Sequence, residues 1–195
     1  MRVRDWMTGE PVTIGDCAPI ANARTLMRQH RIRHLPVTRE GELVGIISDR
    51  DLREARPVVA TLAGASESFL AALERTEVGV LMASPCVTIG PDEPLERAAE
   101  LMHSHRIGAL PVVADGRILG LLAETDLLLL LVGALGTEAH GDRVVLTLGE
   151  DDPPLWKQLR DLEKSGRVPT RVATVAPRGE GPLRALVRVR LLPGA

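Results

Sequence analysis

Apolar and polar positions along this chain follow a rhythm that occurs twice. A short extended run, Val12-Thr13-Ile14, ends at Gly15-Asp16. From Pro19 to His30 the apolar residues Ile20, Ala23, Leu26 and Met27 fall at helical spacing, which predicts an amphipathic helix with Pro19 in its first turn. Leu35-Pro36-Val37 and Leu43-Val44-Gly45-Ile46-Ile47 then read as strands joined by a turn at Glu40-Gly41. Pro36 has no N–H to give to a ladder, so it predicts a strand start or an edge. Ser48 or Asp49 caps a second helix that opens at Arg50-Asp51-Leu52. The unit is β-α-β-β-α.

Shifting the chain by 75 residues lays Val3–Leu52 on Val78–Leu127 without a gap. Met7, Val12, Thr13, Ile14, Gly15 and Pro19 meet Met82, Val87, Thr88, Ile89, Gly90 and Pro94. Leu35-Pro36-Val37 meets Leu110-Pro111-Val112, and Gly45, Asp51 and Leu52 meet Gly120, Asp126 and Leu127. Two copies of one structural unit follow. His30 and His105 close the first helix of each copy, where a cation suits the helix dipole. Arg24, Arg28 and Arg31 read as a solvated helix face.

Composition narrows the class. Hydrophobic residues are 45% and charged residues 26% of 195, an ordinary globular balance. Trp6, Phe69 and Trp156 are the only aromatics, so the core is aliphatic. A net charge of −2 argues against a general nucleic-acid or anionic-membrane surface. Cys17 and Cys86 form no C-x-x-C and no Cys/His cluster, so no metal is expected. Met1–Thr8 lacks the apolar core of a signal peptide, and Leu127–Val132 is too short to span a bilayer, so a cytoplasmic protein is expected.

His-x-Ile-x-x-Leu-Pro-Val followed by Leu-Val-Gly-Ile-Ile-Ser-Asp-Arg-Asp-Leu, at matching spacing in both copies, resembles the cystathionine-β-synthase (CBS) domain. Two in tandem resemble a Bateman module. The resemblance implies an α/β (α+β) fold, with the two repeats packed about a pseudo-twofold axis and two clefts for adenosine-type ligands. The implied organisation is repeat 1 over 1–56, a helical linker over 57–77, repeat 2 over 78–136 and a tail over 141–195.

A nucleotide needs an apolar slot for its base, an acceptor for its ribose hydroxyls and positive charge or N–H groups for phosphate. Asp51, on a first helical turn, offers its carboxylate to the ribose. Ser48 stands beside the helix N-terminus, which favours an anion. Ile14, Pro36, Val37 and Ile46 are expected to wall the base. The resemblance implies a phosphate role for Arg33 and His34, and Arg50 is a further candidate. In repeat 2 Asp126 is kept, but Ala123 replaces Ser48 and Gly108-Ala109 replace Arg33-His34. Thr125 offers a hydroxyl there instead. One strong site and one degraded site are expected. The ligand is an adenine nucleotide, or an adenosyl compound such as S-adenosylmethionine, and no other cofactor is required.

Between the copies, 65–75 reads as a helix with Phe69, Leu70 and Leu73 on one side. Ser48-Asp-Arg-Asp-Leu-Arg-x-Ala-x-Pro57 and Ala123-Glu-Thr-Asp-Leu with its apolar extension are similar to the acetoin-utilisation protein family, which implies an ACT-like C-terminal segment. The tail predicts a strand over 143–148, a helix from Pro153-Pro154 to about Ser165 capped by Gly166, and strands over 168–176 and 183–191. This β-α-β-β segment lacks the Asp-x-Pro-Gly ligand loop, having Asp152-Pro153-Pro154-Leu155. A three-stranded sheet leaves an edge exposed, and pairing across a homodimer covers it. No nucleophile–base pair, Walker loop or G-x-G-x-x-G is present, which argues against an enzyme. The expected protein is a regulatory adenine-nucleotide sensor acting on an unidentified partner. The alternative is a structural, dimerising module with decayed clefts.

Overall fold

The computed structural model describes residues 1–54, 71, 75–135, 142–176 and 179–191. The linker helix expected over 65–75 lies outside the described residues except at Ala71 and Arg75. The chain divides into two compact units, Met1–Leu127 and Leu128–Ala195.

In the first unit, β1 (Thr8–Gly9) and β2 (Ile14–Gly15) precede α1 (Ile20–His30), β3 (His34–Arg39), β4 (Glu42–Ser48) and α2 (Asp49–Glu54). The second copy gives α3 (Leu95–His105), β5 (Ala109–Ala114), β6 (Arg117–Ala123) and α4 (Glu124–Leu135). Local chemistry sets each boundary in both copies. Helices α1 and α3 follow Pro19 and Pro94, and both end where Arg31 and Arg106 turn left-handed at φ 55°. The N–H groups of Ile32 and Ile107 then return to the carbonyls of Met27 and Met102 at 3.0 Å, which satisfies orphan carbonyls. His30 and His105 are the last helical residues, as expected. The hairpins turn at Glu40-Gly41 and Asp115-Gly116, all four with positive φ, the backbone of a turn that matches strand twist.

Sheet β2-β3-β4 has β2 parallel and β4 antiparallel to β3. Its partner is β1-β6-β5, with Ile89 bridging Val112 as Ile14 pairs with Val37. Pro36 therefore lies inside β3, the middle strand of its sheet, a correction to the strand-start or edge expectation, and Pro111 lies inside β5, the last strand in its sheet's order. Pro111 accepts from Ile89 at 3.1 Å, and its nitrogen faces the same side, where the neighbouring strand has not yet begun to pair. No ladder bond is lost to the missing N–H.

The leading segment of each copy crosses to the other. Val3 is fully buried, with its N–H on Glu93 at 3.0 Å, and β1 pairs Thr8 with Leu121 of β6. In the mirror arrangement Val78 joins the core of repeat 1, its N–H on Ala18 at 2.8 Å, and Ala83 pairs with Ile46 of β4. Each sheet thus carries its third or fourth strand from the opposite repeat. Gly45 and Gly120 permit the approach. A Cβ on Gly45 would lie 2.8 Å from the Ala83 carbonyl, and one on Gly120 would lie 2.8 Å from the Thr8 carbonyl. The core of repeat 1 gathers Ile14, Ile20, Met27, Leu35, Val37, Ile47, Leu52 and Val78, all aliphatic.

In the second unit, β7 (Asp142–Leu148), α5 (Leu155–Lys164), β8 (Arg167–Val175) and β9 (Leu183–Leu191) form an antiparallel sheet in the order β7-β9-β8. Leu155, Leu159 and Leu162 of α5 pack on buried Ala185, Val187 and Val189. This is the β-α-β-β segment the sequence predicts. Gly166 takes φ 79° after the helix. Among the described residues no helix is long and apolar enough to cross a membrane.

Candidate functional site

The crossed segments leave two clefts in the first unit, related by the internal repeat. The first, about 490 Å³, takes Ile46, Ser48 and Asp51 from repeat 1 and Pro85, Val87, Ile107 and Gly108 from repeat 2. The second, about 280 Å³, takes Leu121, Ala123 and Asp126 from repeat 2 and Glu10, Val12, Ile32 and Arg33 from repeat 1. Each residue in one set stands 75 positions from its counterpart in the other.

At the floor of the larger cleft, strand β4 runs directly into α2. Asp51 Oδ2 accepts the Ser48 N–H at 2.7 Å and the Ser48 hydroxyl at 2.6 Å, while the Asp51 N–H donates to Ser48 Oγ at 3.2 Å. This reciprocal cap satisfies backbone donors that a helix start leaves open. It leaves Asp51 Oδ1 with no hydrogen bond among the described residues. The carboxylate therefore serves the helix with one oxygen and keeps the other for whatever enters the cleft it lines. In the smaller cleft Asp126 Oδ2 accepts the Ala123 N–H at 2.8 Å. Without a hydroxyl at 123 that cap is simpler.

Arg33 and His34 line both clefts. By the symmetry of the repeat they are the counterparts of Gly108 and Ala109, so they wall the Asp126 cleft as Gly108 and Ala109 wall the Asp51 cleft. Arg33 and His34 thus line the Asp51 cleft together with Ser48 and Arg50, and they reach the Asp126 cleft as well. His34 sits against Gly108, where an added Cβ would come within 3.1 Å of Nε2. Burial, and next the charge of Arg33, hold the imidazole below its ordinary value of 6.5, against the pull of Asp51, Glu124 and Asp49. The half-buried ring is therefore neutral at pH 7, and fixed positive charge at the junction comes from Arg33.

Arg50 lines the larger cleft and pairs with Glu54 at 3.3 Å, and its counterpart Thr125 lines the smaller one. Ile14, Pro36 and Val37 line neither, which corrects the expected base slot. Strand alternation decides this: Val37 shares the core face with Leu35 and Ile47, and Ile14 pairs beside it. Pro36 lies on the opposite face and is buried. Ile46 and Ser48, two residues apart, share the face that reaches the cleft. The apolar walls that the sequence reading missed are Val87, Pro85 and Ile107 in one cleft and Val12 and Ile32 in the other. Their signal was available in the duplicated Val12/Val87 and Ile32/Ile107 pairs, which helical and strand periodicity did not require.

Repeated β-α-β-β-α units with exchanged leading segments and paired clefts define the class. Residues 3–58 and 77–133 match the CBS domain family, and the chain belongs to it. It is 32% identical over 139 residues to the CBS domain-containing protein YhcV of Bacillus subtilis, covering 71% of this chain and 89% of that one. Some other curated relatives are longer, and the chain spans 49% and 23% of two of them. Among solved structures, an acetoin utilization protein (AcuB) of Vibrio cholerae aligns with a TM-score of 0.58 at 26% identity, over 73% of this chain and 98% of that one. The CBS domain pair of protein MJ0100, in complex with 5′-methylthioadenosine and S-adenosyl-L-methionine, aligns at 0.57 and 29% identity, over 68% of this chain and 97% of that one.

Proposed function

We propose that the chain is a cytoplasmic, non-catalytic sensor that binds an adenine nucleotide or adenosyl compound in the clefts between its CBS repeats. The observation that carries this reading is the half-capped carboxylate. Asp51 and Asp126 each hold one oxygen on their own helix start and aim the other into a cleft with apolar walls, a fitting acceptor for ribose hydroxyls. The MJ0100 pair, bound to adenosyl ligands, supports the ligand class. Arg33, shared by both clefts, favours a ligand with phosphate.

Regulation follows from the crossing. Both clefts take walls from both repeats, so a ligand that prefers one relative placement of the repeats shifts the population towards it. The reading includes a homodimer that docks an unidentified regulated protein. Helix α4 reads Glu-Thr-Asp-Leu-Leu-Leu-Leu-Leu-Val-Gly-Ala-Leu with no buried residue, and Leu128, Leu129 and Leu131 are 57%, 64% and 50% exposed. An all-apolar helix is ordinarily covered.

Thermal unfolding with AMP, ADP, ATP, adenosine, 5′-methylthioadenosine, S-adenosylmethionine and GMP tests the proposal. Ligand at about 100 times its Kd stabilises by about 2.7 kcal/mol. A shift with an adenine compound and none with GMP is the expected result. No shift with any adenine compound overturns the sensor reading in favour of the structural module.

A further inference from the structure

A groove larger than either cleft lies elsewhere in the first unit. It runs between α1 and α2, measures about 740 Å³, and is ringed by Arg24, Arg28, Arg31, Arg33 and Arg53 against, among the described residues, a single carboxylate, Asp49. Its floor is apolar: Met27 and Leu52 are 5% and 8% exposed, with Ile32 beside them. Arg53 already pairs with Asp49 at 2.8 Å. Among the described residues, Arg24, Arg28, Arg31 and Arg33 make no ion pair. Arg24 and Arg28 recur at i and i+4 on one face of α1, where like charges repel, and Arg31 follows at its left-handed C-cap.

The duplication supplies an internal control. The positions equivalent to Arg24, Arg28, Arg33 and Arg53 are Ala99, His103, Gly108 and Leu128, so repeat 2 carries no such ring. The ring is therefore not a requirement of the fold. The groove is also continuous with the ligand clefts. It shares Arg31 and Arg33 with the smaller cleft and Arg33 and Arg53 with the larger one. Each planar guanidinium can offer two parallel N–H donors to a pair of anionic oxygens, the geometry that phosphate groups present.

The geometry points to a binding site for a polyphosphate chain of three or more phosphates in the groove between α1 and α2. The chain comes either from a nucleoside polyphosphate whose adenosine lies in an adjoining cleft or from free inorganic polyphosphate. The first source rests on the sensor reading above, and the second does not.

Titration calorimetry of the full chain at low salt with inorganic triphosphate, ATP and adenosine tests this site. The Arg24→Ala/Arg28→Ala variant is compared with Arg97→Ala, an equally exposed arginine on α3 outside the groove. Both groove arginines are exposed, so the variant keeps its unliganded melting temperature, which is measured first. The expected result is that the double variant binds triphosphate, ATP or both at least about tenfold more weakly, with adenosine and the Arg97→Ala control unchanged. ATP affected with triphosphate not bound identifies the nucleotide tail as the source. Triphosphate affected with ATP no tighter than adenosine identifies the free chain. Equal affinities of wild type and double variant for both phosphate ligands overturn the site. Triphosphate binding lost in the double variant, with no heat from adenosine or ATP in either protein, keeps the site and overturns the sensor reading instead.

Discussion

Replacing Gly45 by alanine tests whether the crossing of the leading segments holds the clefts. The new Cβ would stand 2.7 Å from Met82 Sδ and 2.8 Å from the Ala83 carbonyl oxygen. The thioether can swing away, but the carbonyl cannot move without the backbone. Ala83 exchanges two hydrogen bonds with Ile46, at 3.2 and 2.9 Å, and these bind the repeat 2 segment to β4. Overpacking costs about 1–3 kcal/mol. Weakening two ladder bonds adds about 1 kcal/mol. A total of about 2–4 kcal/mol lowers the melting temperature by roughly 6–12 °C for a unit of this size. Because Ala83 lines the Asp51 cleft, that cleft loses ligand affinity while the Asp126 cleft keeps it. Gly120→Ala, which meets the Thr8 carbonyl at 2.8 Å, produces the mirror result. Differential scanning calorimetry with ligand titrations reads both quantities. If Met82→Ala restored the stability of Gly45→Ala, the clash would lie with the side chain alone, and the backbone reasoning would be wrong.

Three further outcomes are expected. Asp51→Ala weakens adenosyl-ligand binding by about 1.5–3 kcal/mol and separately costs the helix cap about 0.5–2 kcal/mol. Asp126→Ala costs less on both counts, because Asp126 caps through a single bond from the main chain, and equal losses in calorimetry would refute the ranking. His34 binds a proton less readily folded than unfolded, so its contribution to stability is complete above pH 6.5 and is lost as pH falls below it. Urea unfolding of wild type and His34→Gln at pH 7.5 and 5.5 checks this sign: the wild type loses more on acidification, and a smaller loss than the variant's contradicts it. Removing residues 141–195 turns a dimer into a monomer if the tail sheet, whose outer strands are β7 and β8, pairs two copies. A truncated chain whose mass by light scattering is still that of two copies rules out that role for the tail.

Much of this protein was legible in its sequence because local physics repeats. The i, i+3, i+7 spacing of Ile20, Ala23 and Met27 needs no partner to define the buried face of α1. Turn glycines and Asp51 near its helix start likewise act within a few residues. The tail was legible for the same reason, since Leu155, Leu159 and Leu162 mark one helical face. Tertiary structure alone decided what those elements meet. Whether an apolar strand residue walls a cleft or fills the core depends on which face its partner strand covers. Ile14 and Val37 therefore went inward, while Val87 and Ile107, equally apolar, reached the cleft. The same long-range pairing carried Val3 and Ala83 into the opposite repeats, placed Arg33 and His34 between two clefts, and closed α1 against α2 to turn a row of surface arginines into a groove. Spacing along the chain fixes which residues share a face. Only packing between distant segments fixes what that face confronts.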